Sequence, residues 1–515
     1  MIIYHYKKEG EKIMRRAIKR GLIVALGVII QILLSLSVLI FFGQKIAIVE
    51  MLYGILSVLL VLGIIKESKN LSRDLPWIII IMLFPIVGAL LYIVIGGNLH
   101  KSKVLKNIKQ SEENGYIFFT QNELIKKEVE EGNNGQLKYL MNYLEFPVTK
   151  NNKIKYFPLG DIAFEEMLVE LKRAKKFIFL EYFIIKKGQM WNEILKILEQ
   201  KAKQGIEVRL IYDDMGCMAF LPTDFPKKME EKGIKCIVFN KLNPFLGVIM
   251  NNRDHRKMMI IDGHTAFSGG MNISDEYINI THPYGKWKDN GIRIYGEAVW
   301  NFTVMFLNMW NSYRNDDVSY QKFRYNFKEK YIEENGYTVP YGETPLDSEI
   351  VGENVYLNII NQAQKYVYIM TPYLIIDTDM INSLILAAKR DVDVRIVVPG
   401  IPDKKIVYSL TTSYFETLIK NGVKIYKYTP GFVHSKVFVS DDNIATVGTI
   451  NLDYRSLYLH FECGIFMQDV DVIKDVKTDL IETIKESHLV SRKEATPKLL
   501  KGIWQAVLRL FAPLM

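Results

Sequence analysis

Cysteine is scarce. Cys217, Cys236 and Cys463 are the only three in 515 residues, with no C-x-x-C pair and no histidine at zinc-ligand spacing. That count excludes a disulfide framework and a structural zinc site, and leaves buried thiols as the expectation. Charge is missing too, but only in the first hundred positions. Residues 21–43 and 76–97 carry none over 23 and 22 positions, and residues 46–65 carry Glu50 alone. Each run is long enough to cross a hydrocarbon core of about 30 Å at about 1.5 Å per residue. Three transmembrane helices are therefore expected, at 21–43, 46–65 and 76–97. A cleaved signal peptide is excluded, because the first run is too long and no small-x-small site follows it. Residues 1–20 hold seven Lys and Arg and favour a cytoplasmic start, whereas Lys101, Lys103, Lys106 and Lys109 pull the far end of the third run to the same side.

The rest of the chain is ordinary in composition, and its length exceeds a single core. A net charge of +9 and a pI near 9.0 suit an anionic partner, either nucleic acid or acidic lipid headgroups. Beyond about residue 110, strand and helix patterns alternate as in α/β units. They do so twice. "AKKFIFLEYFII" from 174 and "AQKYVYIMTPYLI" from 363 lie 189 positions apart, as do "GIKCIVFN" from 233 and "GVKIYKYTP" from 422. Each half then reaches a polar strand, "HRKMMIIDGHTAFSGGMN" from His255 and "HSKVFVSDDNIATVGTIN" from His434, now 179 apart.

In a lone strand, His255 and Lys257 would be ordinary alternation on one face. Recurrence changes that reading, because both halves place a His and a Lys on one strand face, an Asp five beyond the Lys and an Asn ten beyond that Asp. Two imidazoles supply a nucleophile and a general acid, and two ammoniums answer negative charge. The matching substrate is a phosphodiester. Lys257, Lys436, Asn272 and Asn451 would hold phosphate oxygens, and the chemistry requires no metal and no cofactor. Each imidazole needs its second nitrogen anchored; the candidates are Asp289, 34 positions after His255, and Glu462, 28 after His434. Asp262 and Asp441 end their strands, where a turn or ion-pair role is expected of them even though they complete the repeated motif. Asp213, Asp214, Glu181 and Tyr182 close repeat strands and could line the pocket. His264, His282 and His460 are read as turn, loop or strand-end residues.

H-x-K-x4-D followed by G-[GT]-x-N, present twice, resembles the phospholipase D superfamily over roughly residues 140–490. Within it, "WKDNGIRIYG", "MTPYL", "VGTINLDYRSLYLHFE" and the preceding "WIIIIMLFPIVGALLYIVIGG" resemble the bacterial cardiolipin synthases, with one span more than the pair usual there. The resemblance implies transmembrane helices followed by a duplicated α/β fold, two sheet-and-helix halves sharing one active site. The layout is then a basic segment 1–20, a membrane domain 21–97, a linker 98–140, halves at 141–330 and 331–490, and an amphipathic helix in 491–515. The implied reaction joins two phosphatidylglycerol molecules into cardiolipin and glycerol through a phosphohistidine. In it His255 would be nucleophile and His434 general acid and base, within a catalytic set that also counts Lys257, Asp262, Lys436 and Asp441. Asp289 and Glu462 would orient the imidazoles. The implied setting is a multi-pass protein of the bacterial cell membrane, with a phospholipid partner and no nucleic acid. A membrane-anchored phospholipase D using water as acceptor is the rival reading. Tyr454 and Arg455 in "DYRS" are placed for headgroup contact. In the tail, Ile503, Trp504, Val507, Leu508 and Phe511 share one helical face, fit either for lipid or for packing on the catalytic region.

Overall fold

The computed structural model describes residues 46–68, 71–93, 103–132, 134–241, 251–317, 319–327 and 336–514. These fall into two compact units: the apolar helices between 46 and 93 with Leu510–Leu514, and a large α/β unit holding the other described residues up to Arg509.

The expected span 21–43 lies outside the described residues. A helix, Ile46–Glu67, covers the second, and its side chains are described from Met51 on. The third is not one helix. Leu71–Leu83 stops at Phe84 (φ −134°, ψ 75°) and a new helix starts at Pro85 and runs to Leu91. The cause is local, since the Pro85 ring excludes the helical conformation from the residue before it and proline then suits a first helical turn. Among the described residues, no helix is long and apolar enough to cross a membrane.

In the large unit the duplication is literal. The first half supplies β1 (Asn152–Phe157), β2 (Phe177–Tyr182), β3 (Glu207–Asp213), β4 (Ile234–Phe239), β5 (Arg253–Asp254), β6 (Lys257–Ile261), β7 (Thr265–Gly269), β8 (Lys286–Lys288) and β9 (Gly291–Gly296). The second supplies β10 (Tyr337–Glu343), β11 (Tyr366–Met370), β12 (Asp393–Pro399), β13 (Lys424–Tyr428), β14 (Gly431–Val433), β15 (Val437–Ser440), β16 (Ile444–Gly448), β17 (His460–Gln468) and β18 (Ser487–Leu489). The first sheet runs β1-β9-β7-β6-β2-β3-β4 and the second β10-β17-β16-β15-β11-β12-β13-β18. Apart from the added edge β18, one order copies the other. In each, three parallel strands joined by crossover helices adjoin an antiparallel meander. β2 and β11 are buried along their whole length, as central strands covered on both faces must be.

Helix Val299–Arg314, buried on most faces, packs against β6, β7 and β9 of the first sheet and β10 of the second. The segment read as a linker is structured: helix Lys103–Gly115 lies along Val299–Arg314 through Leu105, Ile108, Ser111 and Gly115, a stripe at helical spacing. Near the C-terminus, helix Leu499–Phe511 is held by Gln505, which donates to the Ser409 carbonyl (3.0 Å), and by Arg509, which donates to Ser413 Oγ (3.0 Å). Leu508 turns inward, while Ile503, Trp504 and Val507 stay exposed. The helix packs through its polar-containing face, so the five residues grouped on one face divide, with Leu508 in the packed part and Ile503, Trp504 and Val507 in the open part.

Candidate active site

Two short strand pairs build the site, and each joins one half to the other. β5 pairs in parallel with the start of β17, Arg253 opposite His460 and Asp254 opposite Phe461. The next step sets His255 beside Glu462. β14 pairs in parallel with β8, Phe432 opposite Trp287 and Val433 opposite Lys288, and the next step sets His434 beside Asp289. Backbone bonds extend both ladders, from the His255 N–H to the Phe461 carbonyl (2.9 Å) and from the His434 N–H to the Lys288 carbonyl (2.7 Å).

The anchors are therefore crossed. His255 Nδ1 lies 2.8 and 2.9 Å from the two Glu462 oxygens, and His434 Nδ1 lies 2.7 Å from Asp289 Oδ2. A carboxylate at Nδ1 fixes that nitrogen as the protonated one and leaves Nε2 as the free base. Gly270 is needed at this crossing, because a Cβ there would stand 2.1 Å from Asp289 Oδ1 and 2.9 Å from the His434 carbonyl. Asp213 braces the β5 side. It accepts from buried Arg253 (Nη2 to Oδ1, 2.7 Å) and from the Asp254 N–H (3.1 Å), which fixes the strand immediately before His255.

The lysines complete the arrangement. Lys257 and Lys436 are each about 1% exposed, and each turns its ammonium to the carbonyl of the histidine two residues before it. Lys436 Nζ also lies 2.9 Å from His434 Nδ1. Burial lowers the Lys257 ammonium to about 8 and that of Lys436 to about 7, with Glu462 and Asp289 respectively opposing the drop. Burial and the neighbouring ammoniums hold both imidazoles neutral, His434 at about 4 and His255 well below its usual value. The carboxylates diverge. Burial pushes Glu462 up to about 8 against the pull of Lys257, whereas at Asp289 burial is outweighed by His434 and Lys436 and the acid falls below its ordinary range.

Other predicted residues separate. Asp262 and Asp441, counted in the catalytic set, sit at the far ends of β6 and β15 with positive φ (53° and 51°). Asp262 accepts the N–H groups of Lys175, Lys176 and Phe177 at 2.7–2.9 Å, and Asp441 those of Gln364, Lys365 and Tyr366 at 2.6–2.9 Å. Each staples the start of the neighbouring strand and does not reach the histidines. Asn272 accepts from the Ile184 N–H (3.0 Å) and donates to Tyr277 Oη (2.7 Å), so part of its amide already holds the loop after β2. Asn451 keeps its buried Oδ1 without a partner. Glu181 lies behind the site in a buried group with Asp254 and Arg256, its carboxyl raised by burial and by Asp254. Sequence reasoning missed the crossed anchoring, the Arg253–Asp213 brace and the surroundings of the histidines. His434 is ringed by Tyr277 (5.3 Å), Trp287 (5.6 Å) and Phe432 (6.0 Å), and His255 by Phe183 (5.0 Å) and His460 (5.6 Å). The short runs "RD" and "GFV" ahead of the two histidines were the available signal.

Comparison with known proteins follows the same division of the chain. The family described as "Cardiolipin synthase, PLD-like domain" matches residues 167–310 and 356–484, and one described as "Phospholipase_D-nuclease N-terminal" matches 55–97. Cardiolipin synthase 1 of Staphylococcus aureus is 32% identical, covering 87% of this chain and 93% of its own. A cardiolipin synthase of Clostridium perfringens is 33% identical over 87% and 95%. An uncharacterized protein of Streptococcus mutans is 47% identical over 88% and 99%. Among solved structures, a phosphatidylserine synthase of Haemophilus influenzae shares the fold, with a TM-score of 0.56 at 16% identity over 74% of this chain and 98% of that one.

Proposed function

The chain belongs to the cardiolipin synthase family of phospholipase D-like proteins, and from that membership we propose that it joins two phosphatidylglycerol molecules into cardiolipin and glycerol at one site built from both halves. The observation that carries the reading is the pair of crossed carboxylates, which leaves each histidine a free Nε2 among two buried lysines.

On this reading His255 Nε2 attacks the phosphorus of one phosphatidylglycerol, and the bond from phosphorus to the glycerol oxygen breaks. Entry of the phosphate anion beside His434 draws a proton from solvent onto its Nε2, and His434 passes that proton to the departing glycerol. The phosphohistidine is then attacked by a hydroxyl of a second phosphatidylglycerol, whose proton passes to His434, and His255 is released. Lys257 and Lys436 offer donors to the equatorial oxygens where charge develops, with the amides of Asn272 and Asn451 beside them. Asp289 and Glu462 keep the imidazoles in the productive tautomer. The reading also takes the enzyme as a multi-pass protein of the bacterial cell membrane, supported by the three runs of low charge before residue 98.

The test is product analysis of the purified full-length protein with headgroup- and acyl-labelled phosphatidylglycerol. Cardiolipin and free glycerol in equal amounts are expected. Phosphatidic acid with no cardiolipin would mean that water is the acceptor and would reject the transfer reading.

A further inference from the structure

A buried histidine without a hydrogen bond stands beside His255. Both ring nitrogens of His460 lack a partner. Its Nδ1 is 3.9 Å from Glu462 Oε1, and its ring centroid is 5.6 Å from that of His255 at an interplanar angle of 44°. One donor atom from each of His255, His460 and Glu462 falls within 4.8 Å of the other two, the one such trio of His, Cys, Asp and Glu among the described residues. Buried polar atoms are nearly always satisfied by protein, water or an ion, so two idle imidazole nitrogens in one ring call for a ligand. Two imidazoles and a carboxylate are the set that zinc takes at open sites, with a fourth position left for water.

The other half shows that this is no requirement of the fold. Trp287 stands two residues before Asp289 as His460 stands two before Glu462, with its ring at the same 5.6 Å from His434. An indole offers no lone pair to a metal. The capacity to ligate belongs to the His255 side alone.

We propose that His255, His460 and Glu462 form an inhibitory site for a divalent transition-metal ion of the zinc type, which occupies the imidazole and carboxylate that phosphatidyl transfer requires. The inhibition rests on the transfer reading above; the binding does not. Lys257, packed against the same residues, places a competing positive charge at the trio. The ion is accordingly a dissociable inhibitor that a chelator removes, and transfer proceeds without it.

The experiment uses the full-length protein in detergent micelles, stripped with chelator and titrated with zinc. Bound zinc is counted after desalting, and cobalt is loaded in parallel for its visible absorption. Expected are about one equivalent of zinc, a cobalt spectrum of low coordination number, and loss of transfer that EDTA restores. His460→Gln should weaken zinc uptake by at least the roughly 10- to 100-fold that even an outer-shell partner is worth, and should relieve the inhibition in step; His460→Asn serves if the first variant does not fold. No stoichiometric uptake, or equal uptake in the His460 variants, would overturn the site. Uptake with undiminished transfer would overturn its inhibitory role. Uptake that depends on His460 in a protein showing no transfer at all would uphold the site and reject the transfer reading instead.

Discussion

The two halves share a strand order, a motif and a mode of anchoring, yet they differ at the positions that touch the histidines. His434 faces an ionised Asp289 and a ring of aromatic side chains; His255 faces a Glu462 pushed up to about 8 and an idle His460. Behind His255 lies the buried group of Glu181, Asp254 and Arg256, where the second half has Met370, Val433 and Ser435. Duplication has preserved the backbone crossing, which has to be symmetric for either histidine to be anchored. The side chains around each imidazole have been free to diverge, and they give the two anchoring carboxyls opposite shifts in proton affinity.

The comparison can be broken most forcefully at the histidines. His255→Ala and His434→Ala should each lower phosphatidyl transfer by roughly a thousandfold or more, and the double variant should be little worse than either, because the pair acts as one unit. A half that retained activity alone would end the account of a shared site. Next come the anchors. Asp289→Asn removes a charged acceptor and should cost on the order of 100- to 10,000-fold in kcat, by the tautomer argument. Glu462→Gln replaces a carboxyl that burial raises to about 8 and keeps an oxygen able to accept from His255 Nδ1, so it should cost about tenfold or less. Equal losses would show that the two sides are not electrostatically distinct.

A pH profile sharpens the same contrast. Lys436 must be protonated to hold phosphate, and its ammonium titrates at about 7 in the free protein. kcat/KM should therefore fall as pH rises through about 7. Lys436→Arg, which stays charged, should move that fall up to about 8, where Lys257 titrates. An unmoved alkaline limb would assign the titration to another group. The smallest effect on catalysis is expected at the strand staples. Asp262→Ala and Asp441→Ala each remove an acceptor from three backbone N–H groups and should lower unfolding stability by about 1.5–3 kcal/mol. The kcat of the folded fraction should stay near wild type, and a large loss there would return these acids to the catalytic set.

Legibility in the sequence followed the range of the interaction. His255 with Lys257 and His434 with Lys436 share a strand face two residues apart, so spacing alone placed them together, and the repeat marked them as more than alternation. Asp262 and Asp441 were legible as turn residues for the same reason. The Pro85 break was present in the third apolar run but hidden by its uniform hydropathy. What was illegible was the crossing. Glu462 reaches His255 over 207 positions and Asp289 reaches His434 over 145, and strand spacing within one half carries no information about such pairing. His460 was passed over as a strand-end residue for the same cause, because its neighbour His255 enters only through β5.

The most direct measurement of the central claim is a set of double-mutant cycles on transfer activity. His255 and His434 would each be paired with Asp289 and Glu462, using conservative replacements. Crossed anchoring predicts coupling within His255–Glu462 and His434–Asp289, and near-additive losses for His255–Asp289 and His434–Glu462. Coupling confined to the same-half pairs would contradict it.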